Sequence, residues 1–332
     1  MRLSLLATAL AASLALPAAA APPANPAQTA QDLIATFEAL SGVHKGQRRG
    51  HAKGFCAVGE FTATPAARAL SSSPLFDGGT HAVRGRFSIG GGNPAAPDAG
   101  RNARGLGLDF QLPGGAAHRM ALLSAPVFGA ATPEGFLAAL RANLPDPATG
   151  KPDPAKQAEV RARFPETANQ PAWLAANNPP WSYATTPYFS VHTFVFTNAV
   201  GQAQPLRFRL EPRDGVKRLD EAELANAPKD FLQARLAERL AKGPVQWDLV
   251  LTLANEGDAL DDPSREWTGP HREVTAGTLS LRAPQGDEAR ACDAINFDPN
   301  VLSAGVAPSA DPVLKMRSLA YALSFGKRLS GQ

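Results

Sequence analysis

Alternating apolar and polar residues fill eight short stretches of the chain, and glycine or proline stands at the ends of these stretches. Such runs predict β-strands. The first four are "HAKGFCAVGEFTA", "THAVRGRFSIG", "ARGLGLDFQLP" and "HRMALLSAPVF". The other four are "YFSVHTFVFTN", "QPLRFRLEP", "VQWDLVLTLAN" and "EVTAGTLSLRAP". An even number of antiparallel strands rich in glycine favours a closed barrel, and a sandwich with peripheral helices is the alternative.

Helical spacing of apolar residues marks the regions between and after these strands. The clearest cases are "AQDLIATFEALSG" (30–42), which ends at a glycine, and the closing run "DPVLKMRSLAYALSFGKRLS". Further helices are predicted within 131–178 and over 226–243. We therefore predict an α+β fold, in which an eight-stranded antiparallel barrel carries peripheral helices.

The first residues follow a different pattern. Arg2 precedes an apolar run from Leu3 to Leu16, and alanines follow it. This arrangement predicts a secretory signal peptide over 1–20, and a retained anchor is the alternative. The run is too short to span a bilayer, and no other stretch is apolar enough to do so. The remaining residues, 21–332, are predicted to form a single domain.

Charge and cysteine content narrow the picture further. The formal net charge of +3 is too small to indicate nucleic-acid binding. The two cysteines, Cys56 and Cys292, make no tetrahedral zinc site by themselves. Export to an oxidising compartment permits a disulfide between them, which would stabilise the fold by about 4 kcal/mol or more. Two buried thiols are the alternative.

The closing helix places three chemically distinctive residues on one face. Arg317 and Tyr321 are four residues apart, and Arg328 lies two turns further along. A guanidinium that donates to the phenolic oxygen stabilises the anionic form of tyrosine, and a tyrosinate is a ligand that ferric haem iron accepts. The alternative is an ordinary helix with a packed tyrosine and solvated arginines.

The stretch "RRGHAKGF" (48–55) surrounds His51 with cations. Arg48, Arg49 and Lys53 disfavour the protonated imidazole, so His51 is expected to be a neutral base near pH 7. If the stretch is a strand, Arg48 faces away from His51 and can hold an anion while the imidazole points inward. A purely structural histidine is the alternative.

The order of several motifs resembles that of the haem catalases over residues 44 to 330. These motifs are "HAKG", "GEF" (59–61), "RFS" (86–88), "ARGLGLDF" (103–110), "HTF" (192–194), "NFDP" (296–299) and "RSLAYALSFGKR". Compared with long catalases, the chain is expected to lack the extended N-terminal arm, the wrapping segment and the C-terminal domain. It is most similar to the minimal catalase-related peroxidases of the bacterial periplasm, which agrees with the signal peptide and implies a monomer or dimer.

The resemblance implies a barrel of the haem catalase type with haem b bound beside it and a haem-proximal C-terminal helix. Tyr321 would be the proximal iron ligand, and Arg317 would keep it anionic. His51 would be the distal base, and Ser88 would hydrogen-bond its imidazole. The positions that match propionate-binding arginines are Arg48, Arg86 and Arg328. Phe136 matches, more loosely, an aromatic residue that stacks on the porphyrin.

Three departures from the catalase pattern point to a peroxidase that uses a small organic reductant, with weak or no catalase activity. The distal asparagine is replaced by Leu123 or Ser124, a channel aspartate by Asn102, and a valine by Gly50. Conversion of fatty-acid hydroperoxides, as in allene oxide synthases, is one alternative. A haem-binding protein without turnover and a non-haem secreted barrel are the others.

The remaining histidines receive structural interpretations. His192, in "HTF", is predicted to be a buried, hydrogen-bonded strand residue rather than a ligand. The other four are predicted to lie at the surface or in loops, namely His44, His81, His118 and His271.

Overall fold

A computed structural model describes residues 25–332, so the predicted signal peptide over 1–20 lies outside the described residues. The strands are β1 (Gly54–Ala63), β2 (Thr80–Ile89), β3 (Arg104–Gln111), β4 (Ala117–Leu123), β5 (Tyr188–Phe189), β6 (Phe194–Thr197), β7 (Ala203–Pro212), β8 (Val245–Leu253), β9 (Glu273–Arg282) and β10 (Val306–Pro308). The α-helices are α1 (Pro26–Ser41), α2 (Pro65–Arg68), α3 (Pro133–Ala142), α4 (Pro154–Arg163), α5 (Asn169–Ala176), α6 (Glu221–Ala225), α7 (Phe231–Leu240) and α8 (Pro312–Leu329).

The strands close into an antiparallel barrel. The ladder runs from β1 through β2, β3, β4, β5, β7, β8 and β9, and β9 pairs again with β1. Closure leaves no open edge on this ring, because every strand of the ring has a neighbour on both sides. The predicted eight-stranded barrel is therefore confirmed, and the sandwich alternative is wrong.

One predicted strand is interrupted. The run "YFSVHTFVFTN" forms two short strands, β5 and β6, which both pair with β7. Between them the backbone of Val191 has a φ of 53°, in the left-handed region that a β-branched residue rarely adopts. The chain bends there, and β10 pairs with the outer edge of β6.

Apolar side chains fill the barrel interior. Fully buried examples are Phe61, Phe87, Leu108, Trp247 and Leu279. Burial of each such side chain contributes about 1.5–3 kcal/mol to the stability of the fold. Because these side chains fill it, the barrel interior is a packed core rather than a binding cavity. Space for a ligand must therefore lie outside the barrel, beneath the helices.

Helices α1 and α8 pack against each other beside the barrel. The predicted end of α1 at Gly42 is confirmed, since this residue follows Ser41 with a φ of 78°. The helix begins at Pro26, four residues before the predicted start. The ammonium of Lys327, on α8, lies 2.8 and 2.9 Å from the two carboxylate oxygens of Glu38 on α1. Over residues 25–332, no helix combines the length and apolarity needed to cross a membrane.

Cys56 and Cys292 form a disulfide, with their Cα atoms 5.6 Å apart. The predicted pairing is therefore confirmed. Cys56 lies in β1, and Cys292 belongs to the loop that follows β9, so the bond joins this loop covalently to the barrel.

Candidate functional site

A cavity of about 230 Å³ lies between strands β2, β3 and β4 of the barrel and helices α1, α3 and α8. Most of its lining is apolar. All eight residues that the sequence singled out for a site line it, namely Arg48, His51, Arg86, Ser88, Phe136, Arg317, Tyr321 and Arg328. The fold thus brings together positions that are as far apart as 280 residues in the chain.

Helix α8 supplies the tyrosine and its arginine partner. Arg317 donates a hydrogen bond from Nη2 to the phenolic oxygen of Tyr321 at 2.5 Å, and its guanidinium lies 5.1 Å from the centre of the tyrosine ring. The pairing follows from helical geometry, because residues four apart share a face. The start of the helix is fixed by Asp311, whose carboxylate accepts from the amides of Val313 and Leu314.

His51 lies in a loop before β1 rather than on a strand. Its backbone φ is 54°, so the strand geometry assumed for 48–53 is wrong, and Arg48 and His51 reach the same cavity. The imidazole Nδ1 is 3.0 Å from the hydroxyl oxygen of Ser88, which in turn donates to the carbonyl of Gly105 at 3.3 Å. A hydroxyl committed to that carbonyl accepts from Nδ1–H. This tautomer leaves Nε2 free as a base.

The imidazole of His51 is held neutral by its surroundings. Burial lowers the pKa of His51 to about 4, and the positive charges of Arg86, Arg317 and Arg48 add to that effect. The sequence prediction of a neutral base therefore agrees with the structure. Of the three cations to which the sequence analysis attributed this neutral state, Arg48 contributes, whereas the attribution to Arg49 and Lys53 is wrong.

Arg49 and Lys53 are turned away from His51 and neutralised elsewhere. Arg49 forms an ion pair with Glu38 at 2.7 Å. Lys53 forms ion pairs with Asp98 at 2.7 Å and with Asp230 at 2.5 Å. Both side chains therefore anchor the loop rather than create the field at the imidazole.

Arg86 joins the loop to strand β2. Its guanidinium donates to the carbonyl oxygens of His51 at 2.8 Å and Ala52 at 3.0 Å. A Cβ atom at Gly54 would lie 2.8 Å from the guanidinium carbon of Arg86, so only glycine fits there without a shift. Arg86 thus fixes the backbone on which His51 is mounted.

Arg48 and Arg328 converge on one backbone segment. Arg48 donates from Nη2 to the carbonyl oxygens of Cys292 at 3.1 Å and Ile295 at 3.0 Å. Arg328 donates to the carbonyl oxygens of Asp293 and Ile295. The guanidinium of Arg48 also lies 5.5 Å from the centre of the Phe297 ring. These contacts hold both guanidiniums at the same end of the cavity.

This end of the cavity has the character of an anion site. Within residues 25–332, none of Arg48, Arg86 and Arg328 forms an ion pair with a carboxylate, and the Nε of Arg328 is buried without a hydrogen-bond partner. Burial and mutual repulsion lower the pKa of Arg48 to about 9, and burial lowers that of Arg86 to about 10. An anionic ligand would relieve both costs, as the two carboxylates of haem would.

Aromatic residues form another part of the lining. The Phe136 ring packs 4.8 Å from Phe128 and 6.2 Å from Phe37, measured between ring centres. An apolar, aromatic wall next to a cluster of arginines matches a flat hydrophobic ring system that carries carboxylates. The residues present therefore fit a haem.

The positions at which the sequence departs from the catalase pattern lie in different parts of the structure. Leu123 lines the cavity, whereas Ser124 does not line it and its hydroxyl accepts from the amide of Arg104. Asn102 is exposed and does not line the cavity. Gly50 does line it, and a Cβ atom there would meet nothing within 4 Å.

Gly105 is a site residue that the sequence analysis missed. It pairs with Ser88 across strands β2 and β3. A Cβ atom at Gly105 would lie 2.7 Å from both Nδ1 of His51 and the hydroxyl oxygen of Ser88. The glycine in "RGLG" is the signal that was present, but its partner becomes visible only once the strand register is known.

The predicted positions of the histidines outside the site agree with the structure only in part. His192 is fully buried, and its Nδ1 lies 2.6 Å from a carboxylate oxygen of Asp311, as predicted. The predicted strand position is wrong, because His192 lies in the bend between β5 and β6. The prediction of a surface or loop position is wrong for His81 and His118, which are buried strand residues. Burial lowers the pKa of His118 to about 3.

Comparison with known proteins adds family information. The Catalase family model matches residues 31–332. A catalase-related peroxidase of Synechococcus elongatus is 49% identical over 91% of this chain and 89% of its own length. A catalase-related peroxidase of Mycolicibacterium paratuberculosis is 35% identical over 89% of this chain and 93% of its own length.

Solved structures match the fold. A fungal catalase superposes with a TM-score of 0.77 at 24% identity, over 86% of this chain and 60% of its own. A bacterial catalase superposes with a TM-score of 0.76 at 25% identity, over 86% of this chain and 58% of its own. The chain thus spans about 60% of the length of these catalases. With its barrel, its cavity and these matches taken together, the chain belongs to the catalase family.

Proposed function

We propose that this protein is a haem b-dependent peroxidase that reduces hydrogen peroxide or an organic hydroperoxide with a small organic electron donor. In the overall reaction, a peroxide ROOH takes up two electrons and two protons and gives ROH and water. Membership of the catalase family implies a haem cofactor. The observation that supports the proposal most directly is a neutral, oriented histidine in the same cavity as an arginine-bonded tyrosine.

The cofactor would be held by groups already described. Tyr321 would supply the axial ligand, with Arg317 donating to its oxygen. The cluster of Arg48, Arg86 and Arg328 would bind the propionates, because guanidiniums match carboxylates in geometry and charge. When bound, haem supplies the iron at which the peroxide O–O bond is cleaved and through which donor electrons pass.

His51 would act as the acid–base group. Its Nε2 accepts a proton from one oxygen of the peroxide and returns it to the other oxygen, so that water or an alcohol leaves rather than an anion. The hydrogen bond from Nδ1 to Ser88 keeps the ring oriented during both transfers. Because burial lowers the pKa of His51 to about 4, the base is in its accepting form at neutral pH.

Weak or absent catalase activity is expected from the residue at position 123, which lines the same cavity as this base. Leu123 lines the cavity where the catalase pattern has an amide, so no amide donor from that position aligns a second peroxide. The electrons would instead come from an organic donor. We place the reaction in the periplasm, since the disulfide fits an oxidising compartment and the first residues match a signal peptide.

The decisive experiment compares the wild-type protein with His51→Ala. We expect purified wild-type protein reconstituted with haem to show a Soret band and to oxidise a phenolic donor when peroxide is added. His51→Ala should keep the Soret band and lose about 10²–10⁴-fold of the peroxide-dependent rate. His44→Ala, at a half-buried position outside the cavity, is the control.

Four results would contradict the proposal. A protein that takes up no haem is not a haem enzyme. Unchanged turnover in His51→Ala would remove the base from the reaction, and absence of turnover in the wild-type protein would favour a haem carrier. Vigorous oxygen release from hydrogen peroxide alone would indicate a catalase instead.

A further inference from the structure

The disulfide lies beside the cationic end of the cavity. Cys56, in β1, is paired across the ladder with Arg86 in β2. Its partner Cys292 begins a stretch of loop, residues 292–297, that we call the carbonyl segment. The segment belongs to no helix or strand, and the disulfide adds a direct covalent link to β1 beside the backbone connection from β9.

The carbonyl segment holds Arg48 and Arg328, whereas the third arginine of the cluster, Arg86, lies on strand β2 itself. Three of its backbone oxygens, those of Cys292, Asp293 and Ile295, accept hydrogen bonds from Arg48 and Arg328. Each guanidinium has five N–H donors, so the donors not used by these carbonyls remain for a ligand. The segment thereby sets the direction in which both guanidiniums face the cavity.

The same segment packs as a unit around the disulfide. Cys56, Cys292, Ile295 and Phe297 form a buried apolar cluster, and Tyr321 packs against it. The amide of Cys292 donates to the sulfur of Cys56 at 3.2 Å. Movement of Cys292 away from β1 would therefore displace the carbonyl oxygens and the Phe297 ring together.

We infer that Cys56 and Cys292 are positioning residues for the carboxylates of the cofactor. Their disulfide fixes the carbonyl segment, and the segment presents Arg48 and Arg328 in the geometry that binds two carboxylates. This inference rests on the proposed function, because it takes haem as the ligand. Arginine side chains lose considerable freedom when they are ordered, so a scaffold that orders them beforehand strengthens binding.

The test compares two porphyrins that differ in the carboxylates alone. Haemin and haemin dimethyl ester are titrated into the apoprotein of the wild type and of the double variant Cys56→Ala/Cys292→Ala. We expect the double variant to bind haemin about tenfold more weakly or worse, as lost charge-assisted hydrogen bonds require. Its affinity for the dimethyl ester should stay within about twofold, since the ester makes no ion pair with the arginines.

A control separates positioning from general stability. Leu279→Ala removes a fully buried side chain from the barrel interior, away from the cavity lining. It should lower the melting temperature while the ratio of haemin to ester affinity remains that of the wild type. The Arg48→Gln substitution should make haemin binding less sensitive to loss of the disulfide, because one of the positioned groups is gone.

A second measurement avoids dependence on refolding. The folded wild-type apoprotein is reduced with a phosphine, the two thiols are counted, circular dichroism verifies the fold, and both titrations are repeated. Equal weakening for both porphyrins, or no weakening for either, overturns the inference. If the wild-type protein binds neither porphyrin, the proposed function fails, and the inference fails with it for that separate reason.

Discussion

The two chemically active sides of the cavity are built in different ways. On the tyrosine side, Arg317 and Tyr321 meet because they are four residues apart on one helix. On the histidine side, the hydrogen-bonded group is assembled from a loop and two strands, with His51, Ser88 and Gly105 at its centre. The contacts on the tyrosine side join residues close in the sequence, whereas those on the histidine side depend on the strand register of the barrel.

This difference determines how each side should respond to change. A substitution of Arg317 or Tyr321 on α8 should change the reactivity of the site with little effect on the packing of the protein. A substitution around His51 alters chemistry and packing together, because the loop, β2 and β3 share the same atoms. Five predictions test this contrast.

The largest effect is expected for Tyr321→Phe. It removes the proposed iron ligand but leaves the helix and its packing, so peroxide-dependent activity should fall by about a thousandfold or more. The free energy of unfolding of the apoprotein should change by less than about 1 kcal/mol. Absorption spectra, donor oxidation and urea unfolding measure these quantities. Leu319→Ala, at a position 41% exposed on the same helix, is the control. A variant that keeps the wild-type spectrum and rate would exclude Tyr321 as the ligand.

Gly105→Ala should affect activity and stability together. The new Cβ atom would lie 2.7 Å from His51 Nδ1 and from the Ser88 hydroxyl, so the imidazole must move. We expect a loss of about a hundredfold in activity and a cost of about 1–3 kcal/mol in unfolding free energy. Gly326→Ala, where a Cβ atom on α8 has open space, should leave activity unchanged and should not destabilise the fold. If Gly105→Ala matched this control, the close approach would not matter.

Ser88→Ala should have a smaller effect, since it removes the hydrogen bond that orients the ring but introduces no clash. A fall of about tenfold in activity is expected, with haem binding unchanged. Ser88→Thr keeps the hydroxyl and should recover most of the rate. Stopped-flow measurement of the first reaction with peroxide distinguishes the variants. Equal rates for alanine and threonine variants would show that the hydroxyl does not orient His51.

Gly50→Val tests the open space beside the base. A Cβ atom at Gly50 meets no other atom within 4 Å, so the side chain should enter the cavity without unfolding the protein. We expect the preference for a bulky organic hydroperoxide over hydrogen peroxide to drop about threefold. The ratio of kcat/KM for the two peroxides is the measurement, and Gly50→Ala should give an intermediate value. A uniform loss with both peroxides would contradict a role in selectivity.

The smallest effect concerns pH. Because the pKa of His51 is lowered to about 4, the imidazole stays neutral well below its ordinary titration range. The rate of reaction with peroxide should therefore change by less than about twofold between pH 7 and pH 5, and should fall as pH passes through about 4. Two donors with different ionisation behaviour control for effects of the donor. A midpoint near 6.5 would mean that burial does not act on His51 in this way.

The barrel and the tyrosine side were predictable from the sequence for the same physical reason. Strand alternation has a period of two and helix spacing a period of 3.6, so short windows contain the information. The eight strands and the Arg317–Tyr321 pair both depend on such windows. The interruption at Val191 did not follow from them, because a β-branched residue in "YFSVHTF" indicates continuous strand by local preference.

The histidine side was predictable only in part. The neutral state of His51 was attributed to nearby cations in the sequence, yet burial is the largest cause of its lowered pKa. Of the three charges that add to it, Arg48 is a sequence neighbour, whereas Arg86 and Arg317 are distant in the chain. Neighbours such as Arg49 were satisfied by an unforeseen partner, Glu38 of α1. Contacts of this kind depend on tertiary packing and leave no periodic trace in the sequence.

The packing of α1 against α8 has a consequence for the order of events during synthesis. The cavity is walled by the first helix and the last helix of the described chain, which the Glu38–Lys327 ion pair joins. Strands that emerge early from the ribosome can begin to pair, since domains fold as the chain emerges. Tyr321, however, lies in α8, which follows every strand of the barrel in the chain. A complete cavity therefore cannot exist on a nascent chain until α8 has emerged, so a cofactor that needs both walls is inserted only after all the barrel strands have been made.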